Sequence, residues 1–191
     1  MTGRVLFVCA QNICRSPLMA AAFEDELGAD ASRWVVGSAG TEASPGRRAC
    51  RYSVEVVVTA LGHLSTPLTM ADLDAADLVI AASLAERSLI VRKSPSARSR
   101  TFTLREALLL GEQQVSAASL AEYADVLDSR RGTLDLPTQR SLPWRRETGH
   151  TLDVVDVHHL GIRTHRRGLQ KAAADTRTLA RRLQQGIAPR S

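Results

Sequence analysis

The first 28 residues contain an apolar strand, a short loop and a helix in direct succession. Val5-Leu6-Phe7-Val8 is a continuous apolar run, which is typical of a strand buried on both faces of a parallel sheet. Pro17 suits the first turn of a helix whose apolar positions recur as far as Leu27, and Gly28 would end it. This unit predicts an α/β fold in which the opening strand is central and the loop lies at the sheet edge where ligands bind.

Further strands alternate with helices along the chain. Strands are expected at residues 34–36, 77–82 and 101–103, and helices at residues 83–91, 104–110 and 161–185. Residues 54–58 have strand-like propensity, but a helix over residues 47–61 fits a crossover between parallel strands, so we predict the helix. Residues 130–150 are expected to form a long surface connection, because glycines and prolines recur there among polar residues. The predicted fold is a single domain spanning residues 1–191, a three-layer α/β/α arrangement around a central four-stranded parallel sheet.

The net charge of +5 favours anionic partners, phosphorylated substrates among them. Much of this charge lies in arginine pairs at residues 145–146, 166–167 and 181–182, without interleaved aromatic residues that would stack on bases. Such pairs fit solvated helix faces better, and we expect no specific nucleic-acid partner.

The apolar run from Val5 to Ala10 is too short for the core of a signal peptide, and no later segment is long and apolar enough to enter a membrane. We therefore expect a cytoplasmic protein without membrane insertion. The three cysteines, Cys9, Cys14 and Cys50, are an odd number and are not spaced as a zinc site. A disulfide framework is not expected in the cytoplasm. We therefore examine these cysteines as candidates for a reactive thiol.

The loop from Cys9 to Ser16 has the features of a phosphate-binding site that carries its own thiol. If residues 10–16 curl so that their backbone N–H groups point inward, the sulfur of Cys9 sits in an anion-binding nest at a helix N-terminus. Those donors would stabilise a thiolate and also the oxygens of a phosphoryl group. Ser16 can add a hydroxyl donor, and Arg15 can grip two phosphate oxygens.

The segment Val8-Cys9-Ala10-Gln11-Asn12-Ile13-Cys14-Arg15-Ser16-Pro17 resembles the signature loop of the low-molecular-weight protein tyrosine phosphatases. The likeness continues at Ser38-Ala39-Gly40-Thr41, at His63 and the segment after it, and at Asp77 to Ala82. Asp153-Val154-Val155-Asp156 resembles the acid loop of that family. The resemblance covers roughly the first half of the chain and then this loop.

The resemblance implies that Cys9 is the nucleophile, Arg15 the phosphate clamp, Ser16 a donor to the thiolate and Asp156 the general acid. Residues 10–16, namely Ala10, Gln11, Asn12, Ile13, Cys14, Arg15 and Ser16, would bind phosphate. A supporting network would be formed by Asn12, Ser38 and His63. The implied reaction is hydrolysis of a phosphomonoester through a phosphocysteine, with no metal or cofactor.

Two departures from the family pattern bear on the substrate. Asp156 is followed by Val157 and His158, where the family has proline and an aromatic residue, and residues 41–46 also lack an aromatic residue. The walls that would stack on a phenyl ring are therefore absent, and the substrate is predicted only as a phosphorylated protein or a small aryl phosphate. Asp153 is a competing general acid, although the position of Asp156 matches the family better.

Three alternatives remain open from the sequence. Cys14 could form a protective disulfide with Cys9, or it could simply be a small side chain packed under the loop. The chain could be a non-catalytic phospho-ligand-binding protein whose acid loop has degenerated. An arsenate reductase is disfavoured, because the extra cysteine pair expected near residues 80–90 is replaced by Ser83 and Ser88. The sequence predicts no oligomeric state.

Overall fold

A parallel sheet of four strands forms the centre of the computed structural model, which describes residues 3–133, 150–155 and 161–187. The strands are β1 (Gly3–Cys9), β2 (Trp34–Gly40), β3 (Leu78–Ala81) and β4 (Thr101–Thr103), in the spatial order β2-β1-β3-β4. All three pairings are parallel, and Cys9 lies opposite Gly40 in the register of β1 with β2. The carboxyl end of β1 is therefore flanked by a strand on each side.

Seven α-helices connect and cover these strands within the described residues. They are α1 (Arg15–Leu27), α2 (Arg51–Val56), α3 (Met70–Ala75), α4 (Leu84–Lys93), α5 (Leu104–Leu110), α6 (Leu120–Ser129) and α7 (Ile162–Gly186). Short 3-10 segments occur at Gly28–Arg33, Val58–Gly62, Pro95–Arg100 and Arg131–Thr133. Every strand-to-strand connection is a crossover that contains helical structure, as parallel pairing requires.

The two faces of the sheet bury different sets of apolar side chains. Val5 and Phe7 of β1 belong to a large cluster shared with α1, α5, α6 and α7. Leu6 and Val8 alternate to the other face and pack in a smaller cluster that includes Leu73 of α3. This alternation explains why residues Val5 to Val8 of β1 are all apolar, because helices cover both faces of the strand there.

Side-chain caps fix where several helices begin. Thr69 and Asp72 form a capping box at the start of α3, and Thr103 and Glu106 form another at the start of α5. Ser83 accepts hydrogen bonds from backbone N–H groups in the first turn of α4. At the C-terminal end of α1, Gly28 has a φ of +52°, a conformation that glycine adopts without a steric penalty.

The predicted α/β/α fold with four parallel strands is confirmed, and so are the helices expected at residues 83–91, 104–110 and 161–185. The helix predicted over residues 47–61 is wrong in extent. It is confined to α2, because Val57 is buried in an extended conformation with φ −137° and ψ 102° before a 3-10 turn. Helices α3 and α6 were not predicted. Most of the surface connection expected at residues 130–150 lies outside the described residues.

None of the helices in the described parts of the chain has the length and apolar character needed to cross a membrane.

Candidate active site

The loop between β1 and α1 lies at the carboxyl end of the central strand. Cys9 is the last residue of β1 and Arg15 is the first residue of α1, so both ends of the loop are held by regular structure. Cys9 is 2% exposed and Arg15 is 8% exposed. Gly40 of β2 approaches this loop so closely that an added Cβ atom would lie 2.6 Å from the Ala10 carbonyl oxygen and 2.9 Å from the Asn12 nitrogen. Only glycine fits at that position without displacing the loop.

Two hydrogen-bonding groups surround the sulfur of Cys9. The backbone N–H of Asn12 donates to Sγ at 3.3 Å, and the hydroxyl of Ser16 lies 3.1 Å from Sγ. The Asn12 side chain donates from Nδ2 to the Ser16 oxygen at 2.9 Å, so the Ser16 hydroxyl can donate its own proton either to the sulfur or to the Ala39 carbonyl at 3.4 Å. Hydrogen bonds of this kind stabilise the thiolate relative to the thiol, because the ionised sulfur is the stronger acceptor.

Asn12 is the centre of the network that holds the loop. It is fully buried, and its φ of +51° puts it in the left-handed region, which asparagine tolerates better than most residues. Nδ2 also donates to Ser38 Oγ at 2.9 Å, and Oδ1 accepts from the Thr66 backbone N–H at 2.8 Å. The Asn12 carbonyl lies 2.8 Å from His63 Nε2, and since a carbonyl can only accept, this nitrogen carries the proton. The structure thus brings Asn12, Ser38 and His63 together.

The carbonyl oxygens of the loop are engaged by partners around it. Hydrogen bonds are accepted by the carbonyls of five loop residues: Cys9 from Thr41, Ala10 from Glu42, Asn12 from His63, Ile13 from Cys50, and Cys14 from Leu18 and Ser53. In a trans peptide the N–H points opposite to the carbonyl of the preceding residue. The N–H groups that follow these carbonyls are therefore directed away from those partners, as an anion-binding nest requires.

Arg15 is held by an acidic partner from α4. Its Nη2 lies 3.1 Å from Glu86 Oε1, and both side chains are at most one-tenth exposed. Ser83 donates its hydroxyl to the other carboxylate oxygen of Glu86. Nη1 of Arg15 also approaches the Val154 carbonyl oxygen at 3.5 Å. A guanidinium group held by these contacts keeps its charge and a fixed orientation at the end of the loop.

The segment around Asp153 is anchored to the same sheet edge. Asp153 accepts hydrogen bonds from the backbone N–H of Leu84 at 2.9 Å and from that of His150 at 2.9 Å, so each carboxylate oxygen has a backbone partner. The Val154 N–H donates to the carbonyl of Ala82, the residue directly after β3. Asp153 therefore attaches this segment to the start of α4, whereas Asp156, Val157 and His158 lie outside the described residues.

Cys14 has different surroundings from Cys9, although both belong to the loop. Its sulfur lies 3.4 Å from His165 Nε2 and accepts a hydrogen bond of 3.4 Å from Ser53 Oγ. Burial raises the pKa of the Cys14 thiol to about 12. Cys14 is therefore a neutral thiol near neutral pH, which distinguishes it from a nucleophile and slows any attack by Cys14 on an oxidised Cys9. A disulfide between them stays a prediction.

Several residues that contact the loop were not predicted from the sequence. Glu86 was not assigned, although its position three residues after Ser83 is the spacing of a capping box, a local signal that does not reveal its pairing with Arg15. Thr66 and Ser53 carried no recognisable signal, because their contacts depend on segments folding back to the loop. Cys50 and His165 lie close to Cys14, and their ligand atoms are within 4.8 Å of one another.

A cysteine in an anion-binding loop at the end of a central parallel strand, followed by an arginine at a helix N-terminus, defines a cysteine-dependent phosphatase. Comparison with known protein families agrees with that class. Residues 4–117 match the model of the low molecular weight phosphotyrosine protein phosphatases, and the chain belongs to this family. Enzymes of this class act through a phosphocysteine intermediate. The matched region contains the loop but ends before the segment of Asp153 and Asp156.

Individual relatives agree with the family assignment. The chain is 33% identical over 138 residues to the protein-arginine-phosphatase of Bacillus subtilis (strain 168), which spans 71% of this chain and 85% of that protein. It is 34% identical over 110 residues to the protein-arginine-phosphatase of Geobacillus stearothermophilus, covering 56% and 72%. Among solved structures, the low molecular weight protein tyrosine phosphatase of T. tengcongensis superposes with a TM-score of 0.65 at 25% identity, over 97% of this chain and 100% of that one.

Proposed function

We propose that this chain is a protein phosphatase in which Cys9 is the nucleophile, Arg15 binds the transferring phosphoryl group and Asp156 is the general acid. The observation that carries the proposal is the position of the Cys9 sulfur. It lies within hydrogen-bonding distance of Ser16 Oγ and the Asn12 N–H, in a loop whose amides can bind an anion and whose last residue but one is a buried arginine.

The proposed reaction has two steps, each balanced in protons. The Cys9 thiolate attacks phosphorus, a sulfur–phosphorus bond forms, and the bond to the leaving atom breaks as Asp156 gives that atom its proton. A water molecule then attacks the phosphocysteine, Asp156 takes up the proton of that water, and inorganic phosphate leaves with Cys9 again a thiolate. Arg15 and the amides of residues 10–16 would neutralise the charge on the equatorial oxygens in both steps.

The contacts of Asp153 support Asp156 as the acid. Both oxygens of Asp153 accept backbone hydrogen bonds, so its carboxylate serves to anchor the loop rather than to move a proton. Asp156 follows two residues after Val154, whose carbonyl is 3.5 Å from Arg15 Nη1. Two residues of chain extend at most about 7 Å, and this short tether to Val154 supports the proposal that Asp156 is the acid.

Proteins that carry phosphotyrosine and proteins that carry phosphoarginine are both supported as substrates, by different observations. The family is named for phosphotyrosine, and the two relatives above 30% identity are protein-arginine-phosphatases. Phosphoarginine is favoured by the absence of aromatic residues at positions 41–46, because a guanidinium substrate does not need a phenyl-stacking wall. Glu42, which is exposed and whose N–H binds the Ala10 carbonyl, adds a carboxylate beside the loop that suits a basic substrate.

The catalytic roles can be tested with an aryl phosphate and matched variants. We expect phosphate release by the unmodified chain with a burst of the aryl alcohol, none above background for Cys9→Ser, and a loss of about 10²- to 10⁴-fold in kcat for Asp156→Asn. Asp153→Asn is the matched control. It should lower Tm, because Asp153 anchors its segment through backbone hydrogen bonds, and it should lower kcat much less than Asp156→Asn does. A greater loss of kcat for Asp153→Asn than for Asp156→Asn would refute the assignment of the acid.

The substrate class can be tested with peptides of one sequence that carry phosphotyrosine, phosphoarginine or phosphoserine. A kcat/KM on the phosphoarginine peptide at least about tenfold higher than on the other two peptides would support phosphoarginine proteins as the substrate class, provided that Glu42→Gln lowers this value selectively. A preference for phosphotyrosine that is unaffected by Glu42→Gln would show that this carboxylate has no part in selection. Equal rates on all three peptides would show that the site does not select the leaving group.

The alternatives left open by the sequence are not favoured by these comparisons. A non-catalytic phospho-ligand-binding protein and an arsenate reductase would each have to differ from a family whose described members are phosphatases. Ser83, at one of the positions where a relay cysteine was sought, instead caps α4 and binds Glu86. We propose one catalytic domain over residues 1–191 in the cytoplasm, where a reducing environment would keep the cysteines as thiols.

A further inference from the structure

The side chains of two cysteines and one histidine form a cluster at the phosphate loop, and these side chains have no part in the proposed reaction. Cys14 immediately precedes α1, Cys50 immediately precedes α2, and His165 lies in the first turn of α7. The Cys14 and Cys50 sulfurs and a ring nitrogen of His165 are all within 4.8 Å of one another. The three residues come from distant parts of the sequence, which is why cysteine spacing alone gave no indication of a metal site.

We propose that Cys14, Cys50 and His165 form a binding site for a thiophilic divalent cation, best suited to Zn²⁺. Two sulfur ligands and one imidazole are a donor set that zinc takes with a fourth position left for water. In tetrahedral zinc sites a sulfur and a nitrogen ligand lie about 3.5 Å apart. The separation of Cys14 Sγ from His165 Nε2 is 3.4 Å, so this pair already has the spacing that the metal requires.

Surrounding contacts hold the ligands in place. Ser53 is fully buried, and its single hydroxyl proton is shared between two acceptors of Cys14, the carbonyl oxygen at 3.0 Å and the sulfur at 3.4 Å. The Cys50 backbone N–H donates to the Ile13 carbonyl at 2.7 Å, and the Tyr52 ring packs against the His165 ring at 4.9 Å between centroids. Hydroxyl donors to ligand sulfurs and packed imidazole rings are the outer contacts that orient metal ligands.

The charges also balance. Coordination replaces the thiol protons of Cys14 and Cys50, which are released to solvent, and two thiolates with a neutral imidazole then compensate the two positive charges of Zn²⁺. A neutral assembly is far less costly to bury than a lone thiolate, and Cys14 and His165 are 6% and 4% exposed. Cys50 is only half-buried, so the cation has a route of entry on that side.

The test uses the full chain without an affinity tag, reduced and free of metal, titrated with Co²⁺ and then Zn²⁺. We expect about one ion per chain, a thiolate-to-cobalt charge-transfer band, visible bands of tetrahedral Co²⁺, and loss of both when Zn²⁺ displaces Co²⁺. Cys50→Ser should reduce the charge-transfer band, and both Cys50→Ser and His165→Gln should weaken binding by at least about 100-fold. Cys9→Ser and His150→Gln, which remove a thiol and an imidazole outside the cluster, should bind as the unmodified chain does.

A measurement without variants guards against misfolding of the substituted chains. Zn²⁺ should protect Cys14 and Cys50, but not Cys9, from alkylation, as mapped by mass spectrometry of peptides. The proposal is overturned by absence of tetrahedral Co²⁺ bands, by protection confined to Cys9, by loss of binding in Cys9→Ser, or by a Cys14–Cys50 disulfide in freshly reduced protein. None of these measurements depends on phosphatase activity, so they test the metal site independently of the proposed function.

Discussion

Replacing Asn12 separates two ways in which the loop is stabilised. Its side chain makes three short hydrogen bonds, to Ser16, Ser38 and the Thr66 N–H, at 2.8 to 2.9 Å. Each contributes about 1 kcal/mol net, so their loss in Asn12→Ala should cost about 3 kcal/mol. The left-handed φ of +51° adds about 1 kcal/mol more for alanine, because its Cβ is strained there.

Asn12→Gly is the matched control, since it loses the same hydrogen bonds but has no Cβ. We expect the free energy of unfolding to fall by about 4 kcal/mol in Asn12→Ala and by about 3 kcal/mol in Asn12→Gly, measured by urea denaturation. In both variants kcat should fall, because the Ser16 hydroxyl is no longer oriented towards Cys9. A cost below about 1 kcal/mol in both variants, or a larger cost in the glycine variant, would refute this account of the loop.

Three further predictions concern residues around the site and in the core. Glu86→Gln removes a carboxylate that pairs with the buried guanidinium of Arg15, so the free energy of unfolding should fall by about 2 kcal/mol, and phosphate should raise Tm more in the variant than in the unmodified chain. Gly40→Ala should lower kcat/KM by about 100-fold because its Cβ would meet loop backbone at 2.6 Å, while Gly37→Ala, whose nearest contact is 3.6 Å, should leave kcat/KM unchanged. Burial raises the pKa of Tyr123 above 10.0, so the folded chain retains a proton that the unfolded chain has lost; stability should decline above about pH 10, and Tyr123→Phe should flatten that slope in unfolding measured across alkaline pH.

The elements with the strongest local patterns were the most predictable from the sequence. Local patterns in the sequence predicted three of them: the apolar run of β1, the helix α1 with a proline near its start and a glycine after its end, and the short strand at Thr101–Thr103. Helix α6 could also have been predicted, because its buried residues Leu120, Tyr123, Ala124 and Leu127 recur with helical spacing after the capping Ser119.

Other features depend on contacts that no local pattern encodes. The valines at residues 56–58 fit a helix and a strand equally well, and it is the burial of Val57 that ends α2. The pairing of Arg15 with Glu86 joins residues 71 positions apart, and the contact of Cys14 with His165 joins residues 151 positions apart. The resemblance to a family identified the residues of the loop itself. The residues that contact and orient the loop side chains are seen only in the three-dimensional structure.

Helix α7 has a consequence for how the site is assembled during synthesis. It buries Leu169, Ala173 and Leu183 in the cluster that covers α1, and His165 in its first turn reaches the loop. A ribosome makes the loop and all four strands long before it makes residues 162–186, so a nascent chain exposes the apolar side of α1 until that helix emerges. The Cys14 thiol is therefore made well before the histidine that covers it, which leaves unfinished chains more exposed to oxidation and aggregation than the folded protein.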